Sequence, residues 1–132
     1  MSLGAGIVGI KKDDEVNFSI TIRNCKNFGK ILSQNSKGYI AGIISSDRLA
    51  SDCIENCENY GNIYGYNLLG GIIVGNEGIV KDCINRGNIN FSGFDVGGIC
   101  AWNQGFGNGK IINCVNYGKI QINADGDSFS RD

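Results

Sequence analysis

Proline and histidine are both absent from the 132 residues, and methionine and tryptophan occur once each. Without histidine, a cysteine nucleophile lacks its usual base and a zinc site lacks one of its commonest ligands. Without proline, turns fall to the 21 glycines, a balance that reads as many short strands joined by tight turns rather than as helices. An excess of one charge is missing too. Twelve Lys and Arg stand against 13 Asp and Glu for a net charge of −1, so no basic stripe exists to neutralise phosphates and nucleic acid is not an expected partner. No apolar run approaches the roughly 20 residues that cross a bilayer, so no membrane span is expected. The length suits one domain whose core is long and thin.

What is present is repetition. "NCKNFGKI" begins at Asn24, "NCENYGNI" at Asn56, "DCINRGNI" at Asp82 and "NCVNYGKI" at Asn113. Their cysteines, Cys25, Cys57, Cys83 and Cys114, are 32, 26 and 31 residues apart, a loose period in the range of solenoids and propellers. A second motif recurs out of phase: "GAGIVG" from Gly4, "IAGIIS" from Ile40, "LGGIIVG" from Leu69 and "VGGICA" from Val96. Four units follow, near 4–31, 39–63, 68–89 and 95–122, within one repeat domain over 1–122, with 123–132 as a polar tail or linker. The opening "MSL" runs directly into the first unit. The chain therefore reads as a piece of something larger, preceded by one to three added residues, from Met1 up to Leu3.

The stretches "VGGICAWNQGFGNGKIINCVNYGKI" and "LGGIIVGNEGIVKDCINRGNI" resemble the GLUG repeat of bacterial surface proteins. That repeat has a Gly-Gly-aliphatic strand, an asparagine-containing turn, an aliphatic-x-Asn-Ser/Cys strand and a Gly-x-aliphatic strand. The similarity covers residues 4–122 and departs from the pattern at "KKDDEVNFS" in the first unit and "SSDRLASD" in the second. It implies a β-solenoid without an active site of its own, from a secreted or wall-attached protein of adhesin-like or IgA-protease-associated type. The location it implies is extracellular or cell-surface, and the partner a host or cell-wall glycan or protein.

The residues point the same way: an all-β parallel β-helix of about four coils, three short strands per coil, with right-handed crossovers as the default. Each coil cannot bury its apolar side alone and stacks on the next, so residues at equal positions form ladders. Four such ladders are expected. The cysteines point inward as free thiols, because side chains lying parallel suit a disulfide poorly; Cys53 and Cys100 lie outside this set. Asn27, Asn59, Asn85 and Asn116 donate amide to carbonyl from copy to copy. Gly29, Gly61, Gly87 and Gly118 mark a corner that needs positive φ or close backbone approach. Fourth, Arg23, Glu55 and Lys81, with Lys26 and Glu58 beside them, place opposite charges on neighbouring coils.

Chemistry has fewer candidates. Cys53 and Cys57 are spaced like a ligand pair, and "DGDSFSRD" is a weak calcium cue, but neither completes a site, so no metal and no cofactor are expected. A polysaccharide-active β-helix enzyme is the competing reading. It would need clustered acids on one outward face, for which Asp47, Arg48 and Lys81, or Asp82 alone in its column, are the candidates. Unit lengths differ only between the Gly-Ile motif and the cysteine, so insertions gather at one corner, where repeat proteins place binding loops. There Trp102, Asn103, Gln104, Phe106 and Asn108 offer flat apolar faces beside amides, suited to a sugar or peptide. The competing reading is that Trp102 caps the open end of the last coil. Asn17 and Asn90 begin glycosylation sequons, relevant only to a eukaryotic secretory route. End-to-end self-association of the stack stays open as a further contact.

Overall fold

The computed structural model describes residues 2–9, 19–34, 38–47, 49–93, 95–103 and 108–122. They form 19 short strands and no helix. The strands assemble into five parallel sheets running along a common stack, four of them four strands deep and one three strands deep. The third coil shows the unit: Leu68–Gly70, Ile73–Asn76, Ile79–Lys81, Ile84–Asn85 and Ile89–Phe91, each pairing with its counterpart in the coils before and after. In the first coil the second of these strands is reduced to the single bridge Val8 to Ile44. The chain is thus a parallel β-solenoid, as the repeats predict. The first strand, Ser2–Ala5, already takes part, with Ser2 opposite Gly38 and Leu3 opposite Tyr39.

Each coil after the first carries five strands where the sequence pattern suggests three. The added breaks have local causes. A residue with positive φ precedes each cysteine and separates Ile79–Lys81 from Ile84–Asn85. The glycine corner then separates Ile84–Asn85 from Ile89–Phe91, and the bend at Gly71 and Ile72 divides the first two strands. Alternation along a strand fixes which side chains face inward, but not where the coil turns.

The register follows the charges. Arg23, Glu55, Lys81 and Ile112 are successive Cα partners, and Lys26 lies opposite Glu58. Glu55 bridges Arg23 at 3.6 Å and Lys81 at 3.3 Å. A slip by one residue would turn every inward side chain outward, so these exposed pairs, each worth only tenths of a kcal/mol, matter more for register than for stability.

Two apolar columns fill the axis. Ile22, Ile54, Val80 and Ile111 stack beside the cysteines, and Ile31, Ile63, Ile89 and Ile120 stack opposite. Members in the middle coils are fully buried, whereas Ile111 and Ile120 in the last coil are 38% and 42% exposed. The same truncation should therefore cost different amounts along one column. Ile89→Ala should lower stability by about 3 kcal/mol and Ile120→Ala by about 1 kcal/mol in urea titrations. Equal losses would contradict a core built from coil-to-coil contacts.

Candidate functional site

Asn59 is the centre of the most ordered polar feature. Its side chain is fully buried, and its Nδ2 donates to Asn85 Oδ1 at 2.8 Å and to Gly61 O at 2.9 Å. Asn27 does the same toward Asn59 and Gly29, and Asn85 toward Asn116 and Gly87. Each amide thus uses both donor hydrogens, one within its coil and one to the next. The expected ladder is present.

The glycines of the following corner serve close approach and not positive φ. A Cβ on Gly61 would lie 2.0 Å from Gly29 O, and one on Gly87 2.0 Å from Gly61 O. The positive φ falls instead at Asn24, Asn56, Asp82 and Asn113, with values of 59°, 52°, 55° and 54°. Asparagine and aspartate are the side-chain-bearing residues that enter this region most readily. The sequence singles this column out only for the acid at Asp82 and leaves its backbone role unassigned, although an Asn or Asp before every repeat cysteine is the visible signal. It faces solvent, where Asn56 Nδ2 donates to Asn24 Oδ1 and Asn113 Nδ2 to Asp82 Oδ1, both at 2.7 Å.

Asn24, Asn56 and Asp82 line a shallow groove of about 610 Å³ together with Arg23 and Glu55. Its two acids are engaged: Glu55 by two cations and Asp82 by Asn113. The grouping of Asp47 with Lys81 is not realised. Lys81 bridges Glu55, while Asp47 is buried and its Oδ1 accepts the backbone N–H of Glu77 and of Gly78. Arg48 lies outside the described residues. A second outward column follows the asparagines: Phe28 stacks on Tyr60 at 4.8 Å, and Arg86 lies between the rings of Tyr60 and Tyr117 at 5.6 and 5.2 Å. Its ring faces point along the stack, so they serve the coils rather than presenting a platform.

All six cysteines are free thiols. Cys57 and Cys83 are fully buried, and each donates S–H to carbonyl oxygens of its own coil and of the one before. Cys25 and Cys114, in the end coils, are partly exposed, as are Cys53 and Cys100. Burial pushes the Cys100 thiol up to about 12 and also raises Cys25.

At the insertion corner, Trp102 is half-buried, packed with Ala41, Leu68 and Val74 and edge-on to Tyr39 at 5.8 Å. Its Nε1 donates to Asp95 Oδ2 at 2.7 Å. Trp102 therefore leans on the side of the stack, toward coils below its own, instead of capping the last coil. Asn103 accepts from Asn76 Nδ2 at 2.8 Å and donates to Gly109 O at 3.0 Å. Asn108 is exposed in a turn, and Gln104 and Phe106 lie outside the described residues, as do Asn17 and the tail 123–132. Comparison with known protein families, characterised proteins and solved structures gives no match.

Two outcomes test this geometry. Asn56→Gly should be nearly neutral while Asn56→Ala costs about 1 kcal/mol, because only the second places an ordinary Cβ in the left-handed region. Thiol labelling of native protein should leave Cys57 and Cys83 unmodified until denaturant is added, with the end-coil and corner cysteines reacting first; fast labelling of Cys83 would place the column at the surface.

Proposed function

We propose that the chain is a non-catalytic repeat module of a secreted or cell-surface bacterial protein, serving as a spacer or as an adhesion and recognition segment. The observation that carries this reading is the use made of the shared polar residues. The asparagines and cysteines that recur in every unit spend their hydrogen bonds on neighbouring coils, so the repeat encodes stacking and not a reacting centre. Resemblance to the GLUG repeat supports the surface location. An enzyme on such a scaffold would need free acids on one outward face, whereas the acids lining the groove are held by cations or by an asparagine.

Recognition, in this reading, belongs to the corner that follows Trp102, where connection lengths vary, as they also do at the passage from each coil to the next. The connection there runs from Ser46 to Cys53, from Asn76 to Ile79 and from Asn103 to Lys110 in successive coils. Trp102 is fixed there by Asp95 and Tyr39, which gives a glycan or peptide an aromatic edge held before binding. A glycan array probed with the whole chain and with Trp102→Ala, Phe106→Ala tests this. Binding lost in a folded double variant supports the corner, and full binding by the variant removes it. Absence of any glycan or peptide ligand would leave the spacer role.

A further inference from the structure

One buried polar atom breaks the pattern of the ladders. Asn76 Oδ1 is buried without a hydrogen-bond partner. Its amide cannot be turned to relieve this: Nδ2 donates to Asn103 Oδ1 at 2.8 Å and to Lys110 O at 3.1 Å, and Asn103 is held the same way round by its own bond to Gly109 O. Turning Asn76 over would set an oxygen against two oxygens. The orphaned acceptor therefore faces away from Asn103, toward the coil before.

The residue at that level of the preceding coil is Asp47. Ser46 is the Cα partner of Gly75, Asn76 that of Asn103, and Asp47 N continues the ladder by donating to Gly75 O at 3.1 Å. In the ladder of Asn27, Asn59 and Asn85, each Oδ1 above the first receives an N–H from the side chain below. At the equivalent place in this column stands a carboxyl group, 1% exposed. Its Oδ1 accepts from Glu77 N and Gly78 N, while among the described residues its Oδ2 has a single long contact, to Gly78 N at 3.4 Å.

We propose that Asp47 carries a proton on Oδ2 in the folded chain and donates it to Asn76 Oδ1, completing a ladder that runs from the buried Asp47 and Asn76 to the exposed Asn103 and responds to pH. Two acceptors facing each other out of water are costly, and one proton turns the pair into a donor and an acceptor. The surroundings agree. Burial pushes the Asp47 carboxyl up to about 7 against the two N–H bonds that lower it, and the charges of Asp52 and Glu77 raise it further. Among the described residues, the other titratable group bearing on it is the Cys100 thiol. Asn103, at the top of this ladder, belongs to the corner proposed for recognition, so the ladder ends at that surface.

The folded group then titrates above its unfolded counterpart, which sits near 4. Its contribution is complete below about pH 4, falls as pH rises, and is gone above about 7. The test uses the whole chain. Carbon NMR of the Asp47 carboxyl should show titration near neutrality. In denaturant titrations Asp47→Asn, which supplies a permanent donor to Asn76, should be more stable than the native chain at pH 8. Between pH 5 and 7 the folding constant of the native chain should lose close to tenfold per unit relative to this variant. An Asp47 carboxyl already ionised at pH 5 would overturn the proposal, as would identical pH slopes for the two proteins. So would stabilisation of the native chain alone by added calcium at pH 8, since a cation would then bridge the two oxygens. The NMR titration decides the matter if the variant does not fold.

Discussion

The structure depends on an amide wedged between two columns of glycine. Asn59 bonds to the amide above it and to Gly61 O beside it, and both flanks are as close as backbone can come. A Cβ on Gly42 would meet Asn59 Cγ at 2.4 Å, and one on Gly61 would meet Gly29 O at 2.0 Å. The same relation joins Gly71 to Asn85 and Gly98 to Asn116. The asparagine can reach its partners only because the glycine positions on both flanks carry no side chain, so the two repeat motifs, which are far apart in sequence, are two halves of one lock. This explains why the interval from cysteine to glycine is the same in all four units while the interval leading to the cysteine varies.

That lock also decides how stability is distributed. A coil encloses little apolar volume, and its polar groups are fully satisfied only with the coils on either side, so a unit has almost no stability alone. The buried amides gain from the low dielectric around them as long as every member is paired. Burial falls off accordingly: Ile63 and Ile89 are fully buried, while Ile111, Ile112 and Val115 of the last coil are between 38% and 48% exposed. Opening should begin at the outer coils and stop where two complete neighbours remain.

Much of this was legible because a solenoid converts sequence repetition directly into spatial contact. Aligning the four copies was enough to pair Glu55 with Arg23 and Lys81 and to stack Asn27 through Asn116. What stayed hidden concerns backbone direction. Glycine was the obvious candidate for positive φ, yet Gly61, Gly87 and Gly118 are there for contact, and Asn24, Asn56, Asp82 and Asn113 make the left-handed turn. Both residue types suit the left-handed turn, whereas only glycine suits the close approach, and geometry decides which position needs which. Asp47 was hidden for another reason. Beside Arg48 in "SSDRLASD" it reads as a solvated turn, and its burial follows from two backbone N–H groups 30 and 31 residues away, which no local pattern reveals.

Three columns of Asn and Asp show what position demands of chemically similar groups. In the exposed left-handed column, Asp82 replaces asparagine and simply accepts from Asn113; water satisfies what the carboxylate cannot donate to. In the sealed column of Asn27, Asn59 and Asn85 there is no such replacement, since each site must give two hydrogens and accept at its oxygen. The Asp47 column lies between them, sealed like the second and acidic like the first. A carboxylate there can satisfy the N–H groups of Glu77 and Gly78 but not an oxygen, and the oxygen of Asn76 is the atom left over. Side-chain shape is the same at all three sites; access to water decides whether the missing hydrogen matters.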